Sequence, residues 1–223
     1  MKHNSGHRER AREKLINAKS GTLQDYELLE LLLFMAIPRQ DTKALAKDLI
    51  VKYGSFAKVV NAEHESLLEI TGVKQNIYAC FKLIKECSAR ITREEIRNKP
   101  IISSWQSLLD YCRTIIGHIE KEAFLVLYLN NQNELIDEDL HDYGTVDQVS
   151  VYPREITKRA LFLNASAIIL AHNHPGGNTK ASKSDVEVTQ QIVRALSPFK
   201  INIHDHIIIS DKSFFSFKSE GLL

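Results

Sequence analysis

The residues with the clearest chemical potential lie in AHNHPGGNTKASKSD, residues 171–185. His172 and His174 stand two apart, Pro175-Gly176-Gly177 follows, and Ser182 and Asp185 close the stretch. On an extended strand, residues two apart point to the same face. Two imidazoles would then converge on one point, as a metal ion requires. Asp185 arrives eleven residues after His174, at the expected start of a helix, where its carboxylate can return to that point. Two histidines and one carboxylate fill three of four tetrahedral positions and leave the fourth for water, the pattern of a catalytic zinc site. Water bound to such an ion has its pKa lowered to about 7. A plainer reading uses the same residues. Ser182 and Asp185 have the S-x-x-D spacing of a helix capping box, which needs no metal. The two readings are compatible, because a cap that fixes the helix start would aim Asp185 at the histidines.

The rest of the chain must hold these groups in place. Its 223 residues suffice for one large domain or two small ones, and 43% hydrophobic with 26% charged residues is a globular composition. A net charge of +1 and a pI of about 7.8 do not advertise a nucleic-acid partner. The charge is uneven: Lys2, Arg8, Arg10, Arg12, Lys14 and Lys19 crowd the first twenty residues, whereas residues 134–142 carry five acids and no Lys or Arg. Cys80, Cys87 and Cys112 form no C-x-x-C pair, so neither a disulfide framework nor a cysteine zinc knuckle is expected. Cys80 and Cys87, seven apart, share one helix face and read as small core hydrophobes. LLELLLFMAI is too short to span a bilayer and contains Glu30, and the polar N-terminus shows no apolar signal segment. A soluble, cytoplasmic protein without membrane contact is expected.

The hydrophobic period changes along the chain. Residues 1–98 read as an α-helical domain. TLQDYELLELLLFMAI opens with Thr22 and Asp25 in capping-box spacing and ends before Pro38; DTKALAKDLIVKY starts behind Asp41 and stops at Gly54. A helix, a turn centred on Gly72 and another helix follow, and the charged TREEIRNKP, residues 92–100, reads as the linker. Residues 101–223 read as an α/β domain, a sheet flanked by helices. The helix SSWQSLLDYCRTII leads to the strand EAFLVLYLN, LIDEDLHDYG and TVDQVSVY read as strands or strand and loop, and PREITKRALFLN is a helix with Pro153 at its first position. SAIILAHNH is a buried strand, SKSDVEVTQQIVRALSPF a helix ending before Pro198, and INIHDHIIIS and SFFSF the last strands.

HNHPGGNTKASKSD matches the JAMM motif of MPN+ metallopeptidase-like domains, H-x-H-P-x6-S-x-x-D, at every defined position. EAFLVLYLNNQNELI, PREITKRALFLNASAIILAHNHPGG and DHIIIS with SFKSEGLL resemble the RadC family, of the UPF0758 type, in that family's order. The resemblance implies a cytidine deaminase-like MPN/JAMM fold with a mixed sheet, and one zinc ion per chain on His172, His174 and Asp185. It also implies a hydrogen bond from Ser182 to a developing oxyanion and a glutamate ahead of an early strand as general base, which matches Glu122. Independently of the family, a metal-activated water needs a nearby base, and a carboxylate is the usual one. Glu155 in YPREI is the rival, although a first-turn glutamate is also favoured by the helix dipole. Glu122 could equally be a solvated residue flanking a strand. His204 and His206 in IHDHIII form another H-x-H; with Asp205 facing the other way, they read as supporting residues and not ligands. His3, His7, His64, His118 and His141 read as surface residues.

LLEITGVKQNIYACF is similar to a helix-hairpin-helix, with Gly72-Val73-Lys74 where that module has Gly, hydrophobic, Gly. Such a turn brings backbone N–H groups to DNA phosphate without reading sequence; the alternative is a simple αα-hairpin with a C-cap glycine. The RadC family carries such a domain, and GTLQDYELLELLLFMAI with DTKALAKDLIVKYGSFAKVV resembles it. The basic N-terminus is expected to be a solvated, disordered tail that adds nonspecific phosphate attraction. Three functions follow: a zinc hydrolase of amide or isopeptide bonds in a protein or peptide, with a suggested link to DNA repair; a DNA-associated zinc-binding module without turnover; and a metal-dependent nuclease. Substrate and oligomeric state are left open.

Overall fold

A computed structural model describes residues 3–97, 99–142, 152–210 and 213–223. The chain divides into two compact units, Met1–Cys87 and Ser88–Leu223.

The first unit is helical: α1 (His3–Asn17), α2 (Asp25–Ala36), α3 (Lys43–Tyr53), α4 (Phe56–Asn61), α5 (His64–Leu68) and the opening turns of α6 (Gln75–Ile96). Leu29, Leu33, Ala46, Leu49, Val59, Leu67, Ile77 and Phe81 form its fully buried core. The N-terminus departs from the expected disordered tail. It is helix α1, and the Arg8 guanidinium donates to the carbonyls of Phe34, Ile37 and Gln40 at 3.3, 2.6 and 2.7 Å. Those groups lie at and beyond the end of α2, where carbonyls lack helical partners and a cation is favoured. His7 is likewise not a free surface group, since its Nε2 meets the carboxylate of buried Glu30 at 2.8 Å.

The start of α2 is also corrected. Asp25 is the first helical residue, and the Gln24 N–H donates to the Glu27 carboxylate at 3.2 Å, so the box lies two residues beyond Thr22. Asp25 instead accepts the N–H of Phe56 at 2.8 Å, at the first residue of α4. The cap before α3 is Thr42, while Asp41 accepts the N–H of Lys43 at 2.9 Å; Gly54 ends α3 at φ 93° as expected. The segment expected as linker stays helical to Ile96, because the side chain of Ile96 is buried in the core of the second unit. Cys80 is half-buried, but Cys87 is exposed, one turn beyond the last α6 residue packed on the first core, Ile84.

The second unit holds a five-stranded mixed sheet in the order β2-β1-β3-β4-β5, from β1 (Ala123–Leu129), β2 (Leu135–Asp142), β3 (Ala167–Asn173), β4 (Asn202–Ile209) and β5 (Phe214–Ser216). Among the described strands only β3 and β4 pair in parallel, and the connection between them carries α9 (Lys183–Leu196). Helix α7 (Trp105–Ile116) covers one face, packing Tyr111 and Cys112 on Leu125, Leu127, Ile169 and Ile207. Helices α8 (Pro153–Phe162) and α9 cover the other, packing Ile156, Ala160, Ile192 and Leu196 on Val126, Tyr128, Ile168 and Leu170. Burial on both faces explains why β1, and β3 as far as Ala171, are continuous apolar runs. As expected, α9 ends before Pro198, at Leu196; Pro198 lies in the 3-10 turn Ser197–Phe199, where a residue without an N–H is tolerated. The expected strand or loop TVDQVSVY lies largely outside the described residues, apart from Tyr152. Among the described residues, no helix is long and apolar enough to cross a membrane.

Candidate metal centre

Strand β3 delivers His172, 4% exposed, as its penultimate residue. His174 lies one residue past the strand, but its N–H still donates to the Ile209 carbonyl at 3.2 Å. The extended path therefore continues, and the two rings converge with their Nε2 atoms 3.0 Å apart. Asp185 comes from the first turn of α9, with one carboxylate oxygen 3.5 Å from His172 Nε2 and the other 3.5 Å from His174 Nε2. Ligands at roughly 2.0–2.1 Å from a tetrahedral ion stand about 3.3 Å from one another, so these separations bracket the requirement.

The chemistry of the donors fits as well. His174 Nδ1 lies 2.6 Å from the Asn178 carbonyl, which can only accept, so Nδ1 carries the hydrogen and Nε2 keeps its lone pair. Burial pushes the His172 pKa down to about 4, against the pull of the Asp185 charge, so this ring is neutral. The Asp185 carboxylate raises the pKa of His174, against partial burial and with help from the Asn178 carbonyl and the Glu122 charge. For Asp185 itself burial acts upward, but His174, His172 and the Ser182 cap outweigh it and hold the carboxyl well below its usual range. Three electron-pair donors thus face one point, which calls for a cation there, a proton or a metal ion. His172, His174 and Asp185 are the group of described residues able to hold a metal.

The capping box is formed too. The Ser182 N–H donates to the Asp185 carboxylate at 2.7 Å, and the Asp185 N–H donates to Ser182 Oγ at 3.1 Å. Ser182 is exposed, and its hydroxyl also meets that of Ser184 at 2.9 Å. Of the two candidate bases, Glu122 is the one whose charge reaches His174. It is exposed immediately before β1. Glu155 is exposed on α8 and pairs with Arg154 at 3.2 Å.

The two histidines of IHDHIII separate. Ile168 pairs with Ile203 and Ile169 with Asp205, so His204 is the extra residue of a β-bulge. His204 Nε2 meets the Asn133 side chain at 2.5 Å, whereas His206 is fully buried and meets His172 Nδ1 at 2.8 Å. His141 is half-buried, paired across from Phe124, which in turn pairs across from His172; all three share one sheet face, so His141 is not a plain surface residue. His64 packs against Tyr78 at a ring distance of 4.3 Å.

Three further residues contribute that no sequence motif marks. Asn173, between His172 and His174, accepts the Ala123 N–H at 2.6 Å and donates to the carbonyls of Ile119 and Lys121 at 2.8 and 3.0 Å. It thereby holds the segment that carries Glu122. Phe124 stacks parallel to His172 at 6.0 Å. Thr189 bonds His206 Nδ1 at 2.6 Å; its spacing of four from Asp185 was the available signal, since i and i+4 share a helix face.

In the first unit, Gly72 adopts φ 93° in the turn before α6. The Val73 side chain is buried and its N–H donates to the Ile70 carbonyl at 3.0 Å, so neither is free for a phosphate; Lys74 is exposed.

Comparison with known proteins follows this division of the chain. The family described as RadC-like JAB domain matches residues 102–222, and the one described as UPF0758 N-terminal matches residues 3–79. A UPF0758 protein of Ruegeria pomeroyi is 45% identical over 97% of both chains. UPF0758 proteins of Rhodobacter capsulatus and Fusobacterium nucleatum are each 44% identical, over 95% and 100% of this chain and 99% of their own.

Proposed function

Since this chain belongs to the UPF0758 family, with a RadC-like JAB domain as its C-terminal part, we propose that it is a zinc-dependent hydrolase of amide or isopeptide bonds in a protein or peptide. The observation that carries this reading is the convergence of His172, His174 and Asp185 at 3.0, 3.5 and 3.5 Å, with their lone pairs aimed at one point. A zinc ion held there would polarise a water and lower its pKa to about 7. Glu122, on the segment anchored by Asn173, takes the proton of the attacking water and returns it to the leaving nitrogen. Ser182 Oγ already accepts from the Asp185 N–H, so its own hydrogen can donate to the oxyanion that develops as water adds to the carbonyl carbon. For the first unit the reading is a sequence-independent DNA contact centred on exposed Lys74, which accords with a suggested role in DNA repair.

Metal analysis of the purified chain tests the first part: one zinc per chain is expected, lost in His172→Ala and in Asp185→Ala. A metal-free wild type that takes up no added zinc overturns it. Peptide, isopeptide, single-stranded and duplex DNA substrates, each with Glu122→Gln as control, then decide the bond. Cleavage of DNA alone would make the centre a nuclease. Cleavage of none would leave a zinc-binding module. For the DNA contact, duplex binding by the full chain should weaken in Lys74→Glu, and unchanged binding refutes it.

A further inference from the structure

We infer that Thr189 and His206 are positioning residues: a one-way hydrogen-bond relay through them fixes the tautomer of His172 and ties that ring to the helix bearing Asp185. The inference rests on the metal-binding reading above and adds to it what sets the affinity of the centre.

Direction follows from the end of the chain of bonds. Thr189 Oγ1 lies 2.5 Å from the Asp185 backbone carbonyl, which has no hydrogen to give, so the threonine hydroxyl donates there. Its single hydrogen is then spent, and at its 2.6 Å contact with His206 Nδ1 the hydroxyl must accept. His206 therefore carries its hydrogen on Nδ1. A fully buried imidazole with one hydrogen has a bare Nε2, and that atom faces His172 Nδ1 at 2.8 Å. His172 must donate there, which leaves the lone pair of His172 on Nε2, the atom turned toward His174 and Asp185. Reversing any bond would put two hydrogens, or none, between one pair of atoms.

Packing gives the relay no freedom to turn. Phe217 stacks on His206 at 4.6 Å, Phe124 meets its edge at 5.5 Å, and Thr189 is 1% exposed. The relay starts from the carbonyl of the residue whose carboxylate is the third donor. The opening turn of α9 thus sets both Asp185 directly and His172 through two side chains. His206 is excluded as a ligand in this arrangement, because both of its nitrogens are committed.

Zinc affinity of the full chain, measured by competition with a chromophoric chelator at neutral pH, tests this without any substrate. Removing an outer partner of a metal-binding histidine weakens binding by roughly 10–100-fold. That loss is expected for Thr189→Val, which keeps the shape but not the hydroxyl, and Thr189→Ser should recover most of it. His206→Phe should match Thr189→Val; should it not fold, the Val and Ser pair at Thr189 decides. Unchanged affinity in a folded Thr189→Val overturns the relay while leaving the metal centre standing. A wild type that binds no zinc overturns both. Histidine 15N NMR of the metal-free chain gives an independent readout: His172 and His206 should both be Nδ1–H tautomers. An Nε2–H His206 would mean that the relay does not exist.

Discussion

Ser182 and Asp185 hold each other through two reciprocal hydrogen bonds, 2.7 Å from the serine N–H to the carboxylate and 3.1 Å from the aspartate N–H to the hydroxyl. The same carboxylate stands 3.5 Å from each facing imidazole nitrogen. One residue thus closes the helix start and completes the candidate metal centre. Ser182→Ala removes the hydroxyl half of the cap, so a loss of about 1 kcal/mol in unfolding free energy is expected. Zinc affinity should fall with it, because Asp185 loses part of its orientation. Urea unfolding and chelator competition check both, and a variant that loses stability but binds zinc as the wild type does would separate the cap from the site.

On the zinc-binding reading, zinc and protons would compete here for one imidazole. His172 is neutral above a pKa of about 4, so it holds no proton for zinc to displace near neutral pH. The Asp185 carboxylate raises His174 above its ordinary value, so His174 takes up a proton before His172 does as pH falls. Its proton must leave before zinc binds, and affinity therefore falls as pH drops through the His174 pKa and levels off above it. Below that pKa the slope should be about one decade of affinity per pH unit, the signature of one released proton. Calorimetry in buffers of differing ionisation enthalpy counts that proton directly. A slope near two would mean that His172 also titrates in this range.

Asn173 links the strand bearing His172 to residues 119–123, before and at the start of β1, through three hydrogen bonds. In Asn173→Ala the Ala123 N–H and the Ile119 and Lys121 carbonyls lose this partner. At about 1 kcal/mol for each bond, a loss of about 1–3 kcal/mol is expected. The ligand triad itself is untouched, so zinc affinity should change little, while amide exchange at Ala123 accelerates. If Glu122 is the base, turnover on any substrate found falls in this variant, but not further in the Glu122→Gln background. Strongly weakened zinc binding would show instead that Asn173 supports the histidines.

The cluster of His172, His174 and Asp185 was legible because it sits within one strand end and one helix start, where local periodicity governs direction. The helical region and the α/β region after it were legible from the change of period, whereas the mixed character of the sheet came from the family resemblance. What escaped depends on distant pairing. The bulge at His204 arises from the register of β4 against β3, which no local pattern carries. Asn173 gains its meaning from Ala123, fifty residues away. The charge and Pro100 of residues 92–100 point to a linker, whereas the segment stays helical to Ile96, whose side chain finds a core to enter. Charge likewise hid α1, whose basic residues include a helix cap.

Arg8 shows what that cap is worth. Its guanidinium reaches the carbonyls of Phe34, Ile37 and Gln40 and lies 4.5 Å over the Phe34 ring. Water can replace the exposed contact at Gln40, but the contacts at Phe34 and Ile37 are partly buried. A charged donor to a partly buried acceptor contributes about 1.5–3 kcal/mol. Arg8→Ala should therefore destabilise the first unit by about 2–3 kcal/mol, and Arg8→Lys should restore only part of this, since an ammonium lacks the planar fork. Thermal unfolding followed by circular dichroism measures the loss. Zinc affinity should stay at the wild-type value, as none of the ligands lies in that unit. A stable Arg8→Ala variant would mean that α1 is held by its other contacts, His7 to Glu30 and Lys14 to Glu27 at 2.8 and 2.5 Å.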